Sequence, residues 1–180
     1  MKNADRKYKF NWDLVAPDSG DCRPSLGNST RLEVYRLFQF TLRDVLERRF
    51  STEATDDIFR EAGVMAGKTF FEHFCADVKD INELTKRLQQ EFKDLGIGIV
   101  RFEKIDLDAM EITLTVDEDL DCSGLPDTDD QICVYDEGMI QGILEAFTGK
   151  QFRVREIDCW CTGERTCRFK AKLADTANGA

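Results

Sequence analysis

The sequence predicts an α+β domain of two layers, with helices packed on one face of a four-stranded antiparallel sheet. Three observations predict it. Residues 30 to 95 carry three stripes of apolar residues at helical spacing. Residues 97 to 116 switch to the twofold alternation of strands. One more helical stripe and two short alternating runs complete the chain. Helices grouped against strands that short turns join make an α+β domain with an antiparallel sheet.

Residues 1–29 read as an N-terminal arm, a candidate for dimer formation. Pro17, Gly20, Pro24 and Gly27 break any periodicity, and Phe10, Trp12, Leu14 and Val15 are its only anchors. The domain proper is expected over 30–173. Thr30 and Glu33 have the spacing of a capping box. Tyr35, Phe38, Leu42, Val45 and Leu46 then share one helical face as far as Phe50. A second helix is expected from Thr52 to Ala76, with Ala54, Ile58, Ala62, Met65 and Phe70 on its apolar side. Its Gly63 and Gly67 stand one turn apart, and a helical glycine costs about 1 kcal/mol relative to alanine. The usual return is close approach of another backbone or of a bound group. Asp80 and Glu83 cap a third helix that carries Ile81, Leu84, Leu88, Phe92 and Leu95 and stops at Gly96.

Two strands follow, from Ile97 to Ile105 and through Met110, Ile112, Leu114 and Val116, with a turn at 106–109. Residues 117–130 form an acidic stretch whose spacing does not match an EF-hand, and a solvated surface loop is expected. A last helix from Tyr135 to Thr148 ends at Gly149. The final two strands carry Phe152, Val154 and Glu156, then Cys167, Phe169, Ala171 and Leu173, around a hairpin tip at Gly163 and Glu164. A frayed tail is expected over 174–180.

The chain's 180 residues amount to about one domain. Its net charge of −10 repels phosphate backbones, so direct nucleic-acid binding is not expected. No run approaches the roughly 18 apolar residues of a membrane-crossing helix. Met1 to Lys7 lead into no apolar run, so no secretory signal is expected and the cytoplasm is the expected compartment. Seven cysteines in a reducing compartment point to metal binding, redox chemistry or catalysis, not to disulfides.

Cys133, Cys159, Cys161 and Cys167 fall within 35 residues. Cys159 and Cys167 stand at the two bases of the expected hairpin. Glu156 lies near the same strand end, and Cys133 just before the last helix. Together they can surround one ion, and zinc accepts thiolate and carboxylate ligands in tetrahedral geometry. In an extended hairpin Cys161 points to the same face as Cys159 and competes with Glu156 for the fourth place. Cys122, at the end of the acidic stretch, is a further alternative. Four thiolates equally suit an iron–sulfur cluster.

At these residues the chain resembles a known family. The run Arg60 to Gly67, the segment Glu156-Ile157-Asp158-Cys159 with Gly163, and Cys167-Arg168-Phe169 resemble the 4-vinyl reductase, or hydrocarbon-binding, domain. That family includes the sensor domains of phenol- and toluene-responsive bacterial activators and shares its fold with TRAPP-complex subunits. The resemblance covers roughly residues 30–173. It implies zinc held by Cys133, Glu156, Cys159 and Cys167, and a small hydrophobic ligand between helices and sheet. Phe59, Gly63, Gly67, Phe70, Phe71, His73, Phe74, Phe92, Phe102 and Phe147 come from elements that should meet around such a ligand.

Three functional classes follow. The leading expectation is a homodimeric ligand-binding sensor that signals to a partner or effector domain. The alternative is a redox or gas sensor using an iron–sulfur cluster or haem, with His73 as a candidate iron ligand. The third is a reductase-type enzyme; the sequence contains no evident nucleophile–base pair, phosphate loop or nucleotide fingerprint.

Overall fold

A computed structural model describes residues 7–15 and 23–174. Most of the tail expected at 174–180, and residues 1–6 and 16–22 of the expected arm, with Cys22, lie outside these residues. Helix α1 spans Leu32–Arg49, α2 Thr52–Phe74, α3 Ile81–Asp94 and α4 Val134–Thr148. Strands β1 (Ile99–Asp106), β2 (Glu111–Asp117), β3 (Phe152–Asp158) and β4 (Cys167–Leu173) make one antiparallel sheet in the order β1-β2-β4-β3. The α+β class and the four-stranded antiparallel sheet are as the sequence predicts.

Local chemistry explains most boundaries. The Ser51 hydroxyl accepts from Ala54 N at 3.2 Å and starts α2. Asp80 Oδ1 accepts from the amides of Asn82 and Glu83 at 2.8 and 3.0 Å, and Glu83 Oε2 returns to Lys79 N at 2.9 Å. Gly149, at φ 70°, ends α4 in the left-handed conformation. The capping box expected at Thr30 does not form. Arg31 is the N-cap of α1, and it draws the Glu33 carboxylate into a side-chain ion pair instead.

Helices α3 and α4 lie on the sheet, α2 lies on α4, and α1 lies on α2. The contact of α2 with α4 is backbone against backbone. A Cβ added at Gly63 would stand 2.1 Å from the Tyr135 carbonyl oxygen, and one at Gly67 would stand 2.1 Å from that of Met139. A Cβ added at Gly138 or Gly142 would likewise stand 2.1 or 2.3 Å from the carbonyl oxygen of Arg60 or Val64. Glycine at all four positions lets the two helices run side by side in the same direction.

Two features of the sheet position the cysteines. Register shifts between Glu156 and Asp158, so β3 is bulged just before Cys159. The hairpin then closes through a 3-10 turn, Trp160–Thr162, and Gly163 at φ 93°, in place of an extended tip. The acidic stretch is also not wholly solvated. Asp119 and Asp121 are buried, because Asp119 Oδ1 accepts from the amides of Asp121 and Cys122 and folds the loop inward.

Candidate functional site

Four cysteines converge from four places in the chain. Cys122 follows β2 on the inward loop, Cys133 is the N-cap residue of α4, Cys159 follows β3 and Cys167 opens β4. Their Sγ atoms all lie within 4.8 Å of one another, and all four residues are fully buried. Measured separations are 3.1 Å for Cys122 to Cys167, 3.7 Å for Cys133 to Cys167 and 3.9 Å for Cys133 to Cys159. A tetrahedral ion with Zn–S bonds near 2.3 Å places its sulfurs ~3.8 Å apart. The cluster therefore has the dimensions of a single tetrahedral ion. None of the sulfurs is joined in a disulfide.

The electrostatics match. Four thiols this close cannot all ionise unaided. Hydrogen bonds from Cys122, Cys133 and Cys167 hold the Cys159 thiol far below the ordinary range, while the other three are pushed up. A cation bound among them would take the place of the thiol protons that remain. Position also helps, since Cys133 sits at the positive N-terminal end of α4.

Glu156 stands beside the cluster. Its Oε2 accepts from Cys133 N at 3.3 Å, and its Oε1 is buried without a partner. Burial, then the charge on Cys159, pushes its carboxyl up to about 9. Cys161 lies outside the group of four. The 3-10 turn directs it to a separate surface cavity shared with Phe40, Arg43 and Leu125. Burial pushes its thiol up to about 12.

Above the cluster lies a cavity of about 490 Å³, within the 300–1,000 Å³ range of small-ligand sites. Its walls come from α1, α2, the start of α4 and the Trp12 turn, and are mostly apolar. Of the residues expected around a ligand, Phe59 and Phe70 line it. Gly63 and Gly67 meet α4 instead. Phe92 and Phe102 line a small void under the sheet. Phe71 packs on Phe147 with ring centres 6.2 Å apart. His73 is exposed and stacks on Trp12 at 4.5 Å, with Phe74 against both.

Sequence reading missed the polar end of this cavity. Tyr35, Gln39, Asp121 and Asp136 gather there, and the Tyr35 hydroxyl donates to Asp121 Oδ1 at 2.6 Å. One signal was present: Gln39 interrupts the apolar stripe of α1 one turn after Tyr35.

Fold and site together define a small α+β domain in which a buried thiol cluster underlies an apolar cavity. Residues 112–173 match the family model of the 4-vinyl reductase domain, the family whose resemblance the sequence carries. An uncharacterized protein of Methanocaldococcus jannaschii is 29% identical over 90 residues, covering 50% of this chain and 53% of that one. The chain thus spans about half the length of that relative.

Among solved structures, the phenol-responsive sensory domain of the transcription activator PoxR, solved with phenol, aligns at a TM-score of 0.63. Identity is 16%, over 80% of this chain and 75% of that one. A trafficking protein particle complex subunit 3 from Naegleria fowleri, covalently bound to palmitic acid, aligns at 0.61 with 15% identity, over 80% and 95%. An H-NOX protein from S. oneidensis in the Fe(II)NO ligation state aligns at 0.54 with 15% identity, over 91% and 86%. These are likenesses of fold.

Proposed function

We propose that this protein is a sensory module that binds a small hydrophobic molecule in the α1–α2–α4 cavity, and that a zinc ion held by Cys122, Cys133, Cys159 and Cys167 braces the cavity wall. One observation carries the reading. Asp121, which adjoins Cys122, and Tyr135 and Asp136, which follow Cys133, all line the cavity. Guest and thiol cluster therefore share a wall. When bound, zinc supplies a closed structural tie with no open coordination position. Glu156 supports it from outside by accepting the Cys133 amide. The phenol and palmitate of the similar folds agree with an apolar guest. Four reduced thiols suit the cytoplasm.

The partner expected in sensing is a second copy, with an effector beyond it. Supporting this, α1 carries an apolar stripe yet buries only Gln39, and it exposes Leu37, Phe38 and Val45.

The test is elemental analysis and an absorption spectrum of anaerobically purified protein, followed by binding of small aromatics. One zinc per chain, no visible colour and saturable binding are expected. Four thiolates also suit iron, so stoichiometric iron with visible absorption would replace zinc and move the reading to a redox sensor. A metal-free protein that binds no aromatic would end it.

A further inference from the structure

We infer that the cavity selects an apolar molecule carrying a hydrogen-bond donor, seated by that donor on Asp121 and Gln39. This rests on the ligand-binding reading above and adds the head group.

Among the described residues, five buried side-chain polar atoms lack a hydrogen-bond partner: Trp12 Nε1, Gln39 Oε1, Thr55 Oγ1, Asp121 Oδ2 and Glu156 Oε1. Three of the five belong to residues that line this one cavity, namely Trp12, Gln39 and Asp121. Gln39 Oε1 and Asp121 Oδ2 are both acceptors, on side chains only 8% and 2% exposed. Tyr35 takes up Asp121 Oδ1 and so fixes the carboxyl; the Gln39 side chain lies beside it, and Oδ2 is left without a hydrogen-bond partner. The neighbouring cation does not fill it. Arg36 spends its donors on the carbonyls of Leu120 and Ser123, at 3.0 and 2.8 Å.

Buried acceptors without donors are costly in a folded protein and rare. Here they stand at the end of an otherwise apolar cavity, where a guest's hydroxyl or amine hydrogen would satisfy them. A carboxylate guest is disfavoured, because it brings acceptors only and no hydrogen for Gln39 Oε1 and Asp121 Oδ2. Trp12 Nε1, the lone donor of the three, does not share the head group. It lies against Phe70 and His73, whereas Tyr135 at the acidic end faces Gly63. Seven helical residues, about 10 Å, separate these positions along α2.

The test is equilibrium dialysis of the purified full chain against naphthalene, 2-naphthol and 2-naphthoate, which share one apolar body. A hydrogen bond that satisfies a buried acceptor otherwise left unpaired is worth roughly tenfold in affinity. Accordingly, 2-naphthol should bind at least about tenfold more tightly than naphthalene, and 2-naphthoate more weakly than either. Gln39→Leu and Asp121→Asn should each cut the advantage of 2-naphthol and leave naphthalene binding in place. Gln39 is remote in sequence from the cysteines, so its variant keeps the test usable if Asp121→Asn fails to fold. Equal binding of naphthol and naphthalene, strong binding of naphthoate, or a preference unchanged in the variants would overturn the inference while leaving the cavity reading intact. Binding of none of the three would overturn both.

Discussion

Cys122 and Glu156 compete for the fourth place beside Cys133, Cys159 and Cys167, and the two alternatives differ in what a single substitution does. In the four-thiol arrangement, Cys122→Ser loses the ion or binds it far more weakly. Glu156→Gln keeps it, because an amide oxygen still accepts the Cys133 N–H. Zinc per chain by elemental analysis separates the cases, and the reverse outcome would reinstate the carboxylate ligand. Proton linkage gives a second check. The thiols of Cys122, Cys133 and Cys167 are raised, so protons occupy them at neutral pH in the metal-free protein. Uptake of the ion must expel those protons. Zinc affinity is therefore expected to fall as pH falls, with proton release visible in weakly buffered titrations. An affinity independent of pH between about 6 and 8 would contradict a site built from these thiols. Glu137 is the other residue with a measurable role. It is buried, pairs with Arg60 at 3.0 Å and Arg155 at 2.9 Å, and accepts from Glu156 N at 2.8 Å. Removing its carboxylate leaves the buried Glu156 N–H without an acceptor, which costs about 1–3 kcal/mol. Glu137→Ala should lower stability by that order in denaturant unfolding, and zinc occupancy with it.

Helix α2 is defined as much by what it lacks as by what it carries. Gly63 and Gly67 have no side chain to hold α4 away, and Gly138 and Gly142 answer them from the other helix. Gly67→Ala places a methyl group on the Met139 carbonyl, where a backbone must move to admit it. Overpacking of this kind costs about 1–3 kcal/mol or more. A fall in melting temperature of several degrees is expected, read by circular dichroism. Because Met139, Tyr135 and Asp136 also line the cavity, the same shift should weaken binding of a small aromatic. Gly124→Ala is the control at the element scale, because no atom lies within 4 Å of an added Cβ there, although its φ of 84° makes alanine strained. Its loss of stability should come without loss of binding.

Across the whole molecule, burial is uneven. The sheet, α3 and α4 form a dense core around Phe169, Val154, Leu84 and Ile143. Helix α1 covers the cavity from one side only, and Phe38 remains 67% exposed although it lines that cavity. Exposed apolar surface of this kind is what the proposed second copy would cover. A dimer that covers α1 should appear as twice the chain mass in sedimentation equilibrium, and Leu37→Glu with Val45→Glu should return it to one chain mass without unfolding the core. A monomer at all concentrations would remove the second copy from the proposal. No helix among the described residues is long and apolar enough to cross a membrane.

Element order was legible in the chain because helical stripes, the Asp80 cap and the Gly149 stop are local signals, which act over one or two turns. The nearness of Cys133, Cys159 and Cys167 was legible for a similar reason, since a hairpin and a helix start bring them together whatever the rest does. Three things needed the tertiary structure. Cys122 joins the cluster only because Asp119 folds its loop inward by binding two amides, a non-periodic event with no pattern to announce it. Cys161 leaves it because β3 is bulged and the hairpin tip is a 3-10 turn, which reverses the facing that strict alternation predicts. The paired glycines of α2 meet another backbone and not a guest because α4 carries its own glycines at matching positions. In each case the deciding contact joins residues far apart in sequence. The chain by itself thus determined which residues have chemistry to offer, and the fold decided which of them meet.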